Sequence, residues 1–457
     1  MIRIDFTDTG ARIKPLHGIG QPPTRGNDCG MFHYLTEAGI PFSRLHDVGG
    51  YFGGGRFVDI PNLFPDPDAD PADPASYRFG FTDLLVTELM KSGTEPFFRL
   101  GVTIENEWAV YAARIWPPRD SLAWAKICEG VIRHYTEGWA DGFHYPIRYW
   151  EIWNEPDNVP DPMENPMWRG SAEQFFELYA TASTYLKEKF PHLKIGGYGS
   201  CGFYGVTGGN VPTYAATSPR FDYFRTFFDD FLAYVKAHNC PLDFFSWHSY
   251  DSVPSTGMFA AYARHRLDAE GFTETETTCD EWNCNPTLRG TRMHAALCTA
   301  MFAELQHAPV DSAMFYDGRC GVSMFSSLFN PLTEAPFPAY YAFLAFNVLY
   351  RLGQEVAVYT EQMGEAGQAD AAQIAVTGIG DVRGIDIEPA DTLLPRQTPV
   401  EQEIRLVAAD LGDGGVPRHR IVGVAAVAVV DRAGQRKRHP PQETHLDSQC
   451  RLVAPEV

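Results

Sequence analysis

Tyr149-Trp150-Glu151-Ile152-Trp153-Asn154-Glu155-Pro156-Asp157 opens as a strand and closes as a turn. Its first residues are aromatic and β-branched; its last four are turn formers. Parallel α/β folds place their chemistry where a strand ends by presenting a carboxylate. Pro156 donates no N–H and biases Glu155 toward an extended backbone, so the carboxylate is expected on a rigid support. Asn154 beside it can hydrogen-bond a sugar hydroxyl or the acid itself. Glu151, four residues earlier, falls on the same side of the strand and deeper, where a structural role is expected.

A second stretch answers the first. Thr277-Thr278-Cys279-Asp280-Glu281-Trp282-Asn283 again ends a strand-like run with a carboxylate. Strand alternation points Asp280 away from Glu281. Two strand-end carboxylates far apart in sequence suggest the paired acids of glycoside hydrolysis. Trp153-Asn154-Glu155-Pro156 resembles the Asn-Glu-Pro acid/base motif of clan A glycoside hydrolases, and Asp280-Glu281-Trp282-Asn283 resembles their nucleophile strand. With Trp247-His248-Ser249-Tyr250 between them, the chain most resembles glycoside hydrolase family 39, the family of β-xylosidases and α-L-iduronidases, over roughly residues 12–350.

The resemblance implies an α/β fold: a (β/α)8 TIM barrel over 12–350, with 1–11 and 351–457 forming a small β-sandwich. It implies Glu155 as acid/base and Glu281 as nucleophile in a double displacement needing no cofactor or metal. It also implies that His248 and Tyr250 lie near the nucleophile and substrate. His46, Asn154, Trp282 and Tyr316 complete the candidate substrate-binding set.

Length and composition agree. The 457 residues exceed one mid-sized domain and can bury a large core. A net charge of −21 argues against nucleic acid and anionic membrane as partners. An oligosaccharide or glycoside is the expected partner, with room left for a homo-oligomer. The 9 cysteines are odd in number and carry no CxxC pair, which reads as reduced thiols. Residues 1–10 do not read as a signal peptide. Together these predict a cytoplasmic protein.

Barrel strands are expected at 13–19, 41–45, 96–101, 147–153, 193–197, 242–247, 275–279 and 313–316. Amphipathic helices are expected at 121–137 and from a Ser171/Gln174 capping box onward, with others at 221–235 and 293–305. Residues 48–80, rich in Gly, Pro and Asp, read as a long loop rimming the cleft. Its Asp66, Asp68, Asp70 and Asp73 lack EF-hand spacing and read as solvated. Beyond Arg351, short β-branched runs replace helical periodicity. The basic run Arg432, Arg436, Lys437 and Arg438 reads as a solvated hairpin or tail.

Negative charge on Glu281 is expected to raise the pKa of Glu155, keeping it protonated for the leaving oxygen. Two rivals stand beside this reading. One is a metal-dependent barrel hydrolase or isomerase using His17, His46 and His248; the other is a non-catalytic carbohydrate-binding barrel. The expected substrate is a β-xyloside, with α-L-arabinosides next, cut from the ends of short oligosaccharides.

Overall fold

The computed structural model describes residues 2–24, 29–48, 57–104, 114–207, 219–360, 405–406, 420–421 and 425–426. Eight parallel strands close into a barrel: β2 (Gly18–Gly20), β3 (Phe42–Arg44), β4 (Glu95–Leu100), β5 (Tyr149–Ile152), β6 (Lys194–Ser200), β7 (Phe244–Ser249), β8 (Glu276–Trp282) and β9 (Ser312–Tyr316). The ring closes where Ile19 of β2 pairs with Phe315 of β9. Before it runs β1 (Ile2–Arg12), antiparallel to β10 (Gln354–Thr360), which also pairs with Arg420–Ile421. Most of the segment expected to form a sandwich, the basic run included, lies outside the described residues.

Helices wrap the barrel: α1 (His33–Ala38), α2 (Ile60–Leu63), α3 (Gly80–Ser92), α4 (Ser121–Thr136), α5 (Ala172–Lys189), α6 (Pro219–Ala237), α7 (Val253–Glu270), α8 (Arg292–His307) and α9 (Pro338–Leu352). Four of the long helices, α4, α5, α7 and α8, start at a capping side chain. Asp120 accepts from the N–H groups of Leu122 and Ala123, and the Ser171/Gln174 box forms in both directions. The buried faces of α4 to α6 are aromatic, with Trp124 and Tyr135 on α4, Phe175 and Tyr179 on α5, and Phe227 and Phe231 on α6. Burial of these faces against the strands is the main stabilising term.

Strand alternation fills the barrel floor. Phe42, Phe97, Tyr149, Phe244 and Met314 form one apolar cluster across five strands. Phe97 stacks on Tyr149 at 5.1 Å and meets Phe244 edge-on at 5.1 Å. This plug makes the interior solid below, so chemistry is confined to the carboxyl ends of the strands.

Residues 57–80 are more ordered than a rim loop. Asp59 leads into α2 and pairs with Arg99 at 2.6 Å, while the Ile60 N–H donates to Gly101 O. Phe57, Ile60, Leu63 and Phe64 are buried in the core. Asp66, Asp70 and Asp73 each accept the backbone N–H two residues on, so these acids shape turns.

Candidate active site

Arg44 is the hub. It ends β3 fully buried and spreads its guanidinium across three strands. Nε donates to Glu151 Oε2 at 2.7 Å, Nη1 to Glu281 Oε1 at 2.7 Å, and Nη2 to Asn154 Oδ1 at 2.6 Å. Asp280 Oδ2 lies 2.7 Å from Nε as well. Glu151 also accepts from Ser246 Oγ at 2.6 Å, which fixes it as a buried structural acid.

Asp280 and Glu281 therefore both reach Arg44, contrary to simple alternation. The cause is a β-bulge: Trp247 pairs with Cys279, but the next residue, His248, pairs with Glu281. The extra residue on β8 turns two neighbouring carboxylates to the same side. Burial drives the Asp280 carboxyl well above its ordinary pKa, and the neighbouring Glu151 charge adds to this against the opposing pull of Arg44. The proton on Asp280 lets it share the guanidinium with Glu151.

Glu155 departs from expectation in backbone and in charge. Its φ is +42°, in the left-handed region, not extended. The conformation is held by its N–H donating to Gly199 O at 2.9 Å. Its Oε2 accepts from Asn158 Nδ2 at 2.7 Å, and its Oε1 meets His248 Nδ1 at 2.7 Å. Burial pushes this carboxyl up, but the hydrogen bond and charge of His248, with Asn158, outweigh it and hold the pKa below the ordinary value. Burial would lower His248, yet Glu281, Glu155 and Asp280 raise it to about 9.

Glu281 takes the opposite direction. Burial, with the charge of Glu155 behind it, raises its pKa against the pull of His248, Arg44 and Tyr250. The expected ordering of the two acids is thus reversed in the free protein, because a cationic imidazole stands between them. His248 Nδ1 is 3.6 Å from Glu281 Oε2, on the side away from Arg44. Both oxygens of Glu281 already accept hydrogen bonds, one from Arg44 and one from Tyr250 OH at 2.6 Å. That double acceptance is the geometry of a carboxylate.

Of the remaining candidates, His46 is buried, with Nε2 3.1 Å from Asp47 Oδ1 and 3.9 Å from Glu281 Oε1. Burial and the nearby Arg44 hold it neutral, well below its ordinary pKa. Tyr316 donates to Asp47 Oδ2 at 2.9 Å and accepts from Gln21 Nε2 at 2.9 Å. Tyr250, Tyr316 and Phe325 form an aromatic corner, with Phe325 5.3 Å from Tyr250 and 5.7 Å from Tyr316. Trp282 does not join them. It is fully buried in the strand–helix layer, against Phe315 at 5.0 Å and Phe302 at 5.6 Å. It ends β8 facing outward, so it is withdrawn from the substrate set.

His17 bonds Gly39 O and packs on Phe346 and Tyr350 of α9; burial lowers its pKa to about 4. It is a core residue, which removes one proposed ligand from the metal-hydrolase rival. Asn158, Ser246 and Asp47 are hydrogen-bonded neighbours of the candidate site that sequence reading missed. Asn158 carried a signal, lying three residues after Glu155 in the turn its motif begins. So did Asp47, next to His46. Ser246 lies two residues before His248 on the same strand face.

Residues 67–275 match the family described as glycosyl hydrolases family 39. Over that stretch the chain is similar to this family. A β-xylosidase of Caldicellulosiruptor saccharolyticus is 27% identical over 130 residues, 27% of this chain. The matched stretch spans 25% of that curated relative's length. Among solved structures, the chain is similar to a glucosidase from Croceicoccus marinus, with a TM-score of 0.62 and 25% identity over 79% of this chain and 73% of that one. A family 39 β-xylosidase from Caulobacter crescentus shares the fold, with a TM-score of 0.54 and 18% identity over 79% and 77%. Among the described residues, no helix is long and apolar enough to cross a membrane.

Proposed function

We propose that the chain is a retaining glycoside hydrolase in which Glu281 attacks the anomeric carbon and Glu155 serves as acid/base. One observation carries this reading: Glu155 and Glu281, from the ends of β5 and β8, offer oxygens within 4.8 Å of each other. Retaining enzymes hold their carboxyl groups about 5–5.5 Å apart, whereas inverting ones leave about 6.5–9.5 Å for a water. Arg44 and Tyr250 hold Glu281 ionised and aimed. The proton for the leaving oxygen resides on the His248–Glu155 pair. Attack makes a covalent glycosyl-enzyme; Glu155 then deprotonates the water that releases the sugar.

The substrate reading is a terminal β-xylose or β-glucose on a short oligosaccharide, with α-L-arabinosides next. The named relatives support the first two sugars. The aromatic corner of Tyr250, Tyr316 and Phe325 supports a walled pocket and so exo action. All eight described cysteines are free thiols, which supports work in a reducing compartment such as the cytoplasm. A screen of p-nitrophenyl pentosides and hexosides, followed by NMR of the first-formed anomer, tests this. Retention of configuration with single sugars released from chain ends is expected. An inverted product would overturn the mechanism, and a ladder of internal fragments would overturn the exo reading. Glu155→Ala should slow alkyl glycosides about 10²–10⁴-fold while sparing the glycosylation step of dinitrophenyl glycosides. Equal slowing of both would remove Glu155 from the acid role.

A further inference from the structure

Behind the catalytic strand lies a second convergence of side chains that this chemistry does not use. Cys284 follows β8 by two residues, and His294 and Cys298 sit one helical turn apart on α8. All three are buried, with Cys284 3% exposed and the other two 0%. One ligand atom from each lies within 4.8 Å of the others. Metal–sulfur bonds of about 2.3 Å and metal–nitrogen bonds of about 2.0–2.1 Å place ligands ~3.5–4 Å apart, so a small contraction closes the site. The histidine is also set up as a ligand. Asn283 Nδ2 donates to Tyr316 O at 2.8 Å, which fixes the amide and turns Oδ1 toward His294 Nε2 at 3.2 Å. Nε2 therefore carries the proton, and Nδ1 presents its lone pair with no hydrogen-bond partner in a fully buried ring. An amide holding the far nitrogen of an imidazole is the outer-shell arrangement that orients metal-binding histidines.

We propose that Cys284, His294 and Cys298 form a binding site for a thiophilic cation of the zinc, cadmium or copper(I) type. Two sulfurs and one imidazole suit such soft ions, and two thiolates neutralise a divalent charge in an apolar surround. A bound ion ties the chain leaving β8 to the first turns of α8. That staple braces the segment carrying Asn283, next to Trp282 and Glu281.

Titration of the full-length, reduced, metal-stripped protein with Cd²⁺ tests the site through thiolate-to-metal charge-transfer absorbance. One equivalent should bind. Cys284→Ser and Cys298→Ser should each weaken binding by about 100-fold or more, and Asn283→Ala by about 10–100-fold. Cys128→Ser, a buried thiol elsewhere, should leave binding unchanged. Cadmium NMR of the unmutated protein reads the ligand set without any variant, and two sulfurs with one nitrogen are expected. Failure to bind one equivalent, an oxygen-only ligand set, or unchanged binding in the Cys284→Ser/Cys298→Ser double variant would overturn the site.

Discussion

The barrel interior has two adjacent layers built from the same strands, and they obey different rules. β3 supplies Phe42 to the lower layer and Arg44 to the upper; β4 supplies Phe97 and Arg99, β5 Tyr149 and Glu151, and β7 Phe244 and Ser246. Each pair is two residues apart, the repeat that keeps side chains on one face of a strand. One step along the strands exchanges a dry aromatic plug for a buried ionic network. The plug is held by packing, which tolerates change roughly in proportion to lost volume. The network is held by pairing, in which one missing partner strands a buried charge. The two candidate acids sit on the second kind of layer, where pairing sets the protonation of Glu155 and Glu281, and packing cannot.

The largest effect separating the layers should come from Glu281→Ala. Turnover on every glycoside is expected to fall on the order of 10⁴-fold or more, with azide rescuing it as an inverted glycosyl azide. Circular dichroism should show the fold intact. Near-normal turnover would remove Glu281 from its role and with it the functional meaning of the upper layer.

A sharper comparison pairs Arg44→Met with Phe97→Ala. Both should cost about 3–5 kcal/mol in urea unfolding, the first by stranding Glu151 and Glu281, the second by opening a cavity. Their activities should diverge. Folded Phe97→Ala should keep a kcat near that of the unmutated chain, whereas Arg44→Met should lose it with Glu281 unheld. If both variants lost kcat equally while still folded, the two layers would not be separable.

Much of this was legible in the sequence, and the failures have identifiable causes. Seven of the eight barrel strands fall where strand patterns and motifs placed them, with ends shifted by a few residues; the first, expected at 13–19, lies at Gly18–Gly20 and overlaps only at its start. α1, α2, α3, α7 and α9 were not foreseen. α7 opens Val253-Pro254-Ser255-Thr256-Gly257, a composition poor in helix formers, and is held by its Ser252 cap and by burial of Phe259, Ala263 and Leu267. The two catalytic candidates were visible because each stands in a local motif. Three details were not. The bulge at Asp280 breaks the alternation that sequence reading assumes. The φ of Glu155 comes from a bond to Gly199, 44 residues later by number and on another strand. The cationic character of His248 comes from three acids, two on β8 and one in the turn after β5. All three depend on long-range pairing, which local patterns do not encode. Trp282 was misread because a strand-end aromatic can face the cleft or the helices, and its own segment does not say which.

The smallest effect, and the most specific to the upper layer, is a shift in pH dependence. His248 has its folded pKa raised from 6.5 to about 9, so its ionic contribution to stability is complete below 6.5 and disappears as pH rises through about 9. Glu155 is shifted downward, so its charged form is favoured by the same contact. Together they hold one proton at neutral pH, and that proton belongs to the pair. Loss of it sets the alkaline limb of kcat/KM, which should therefore fall near the His248 value and not near that of an ordinary glutamate. His248→Phe removes the imidazole, leaving the proton to Glu155 alone. Burial and the Glu281 charge then raise Glu155, but not as far as the pair. The alkaline limb should move down by about 1–3 units, and the alkaline loss of stability should vanish with it. An unmoved limb in a folded His248→Phe variant would mean that Glu155 governs its own proton and that the network does not reach the chemistry.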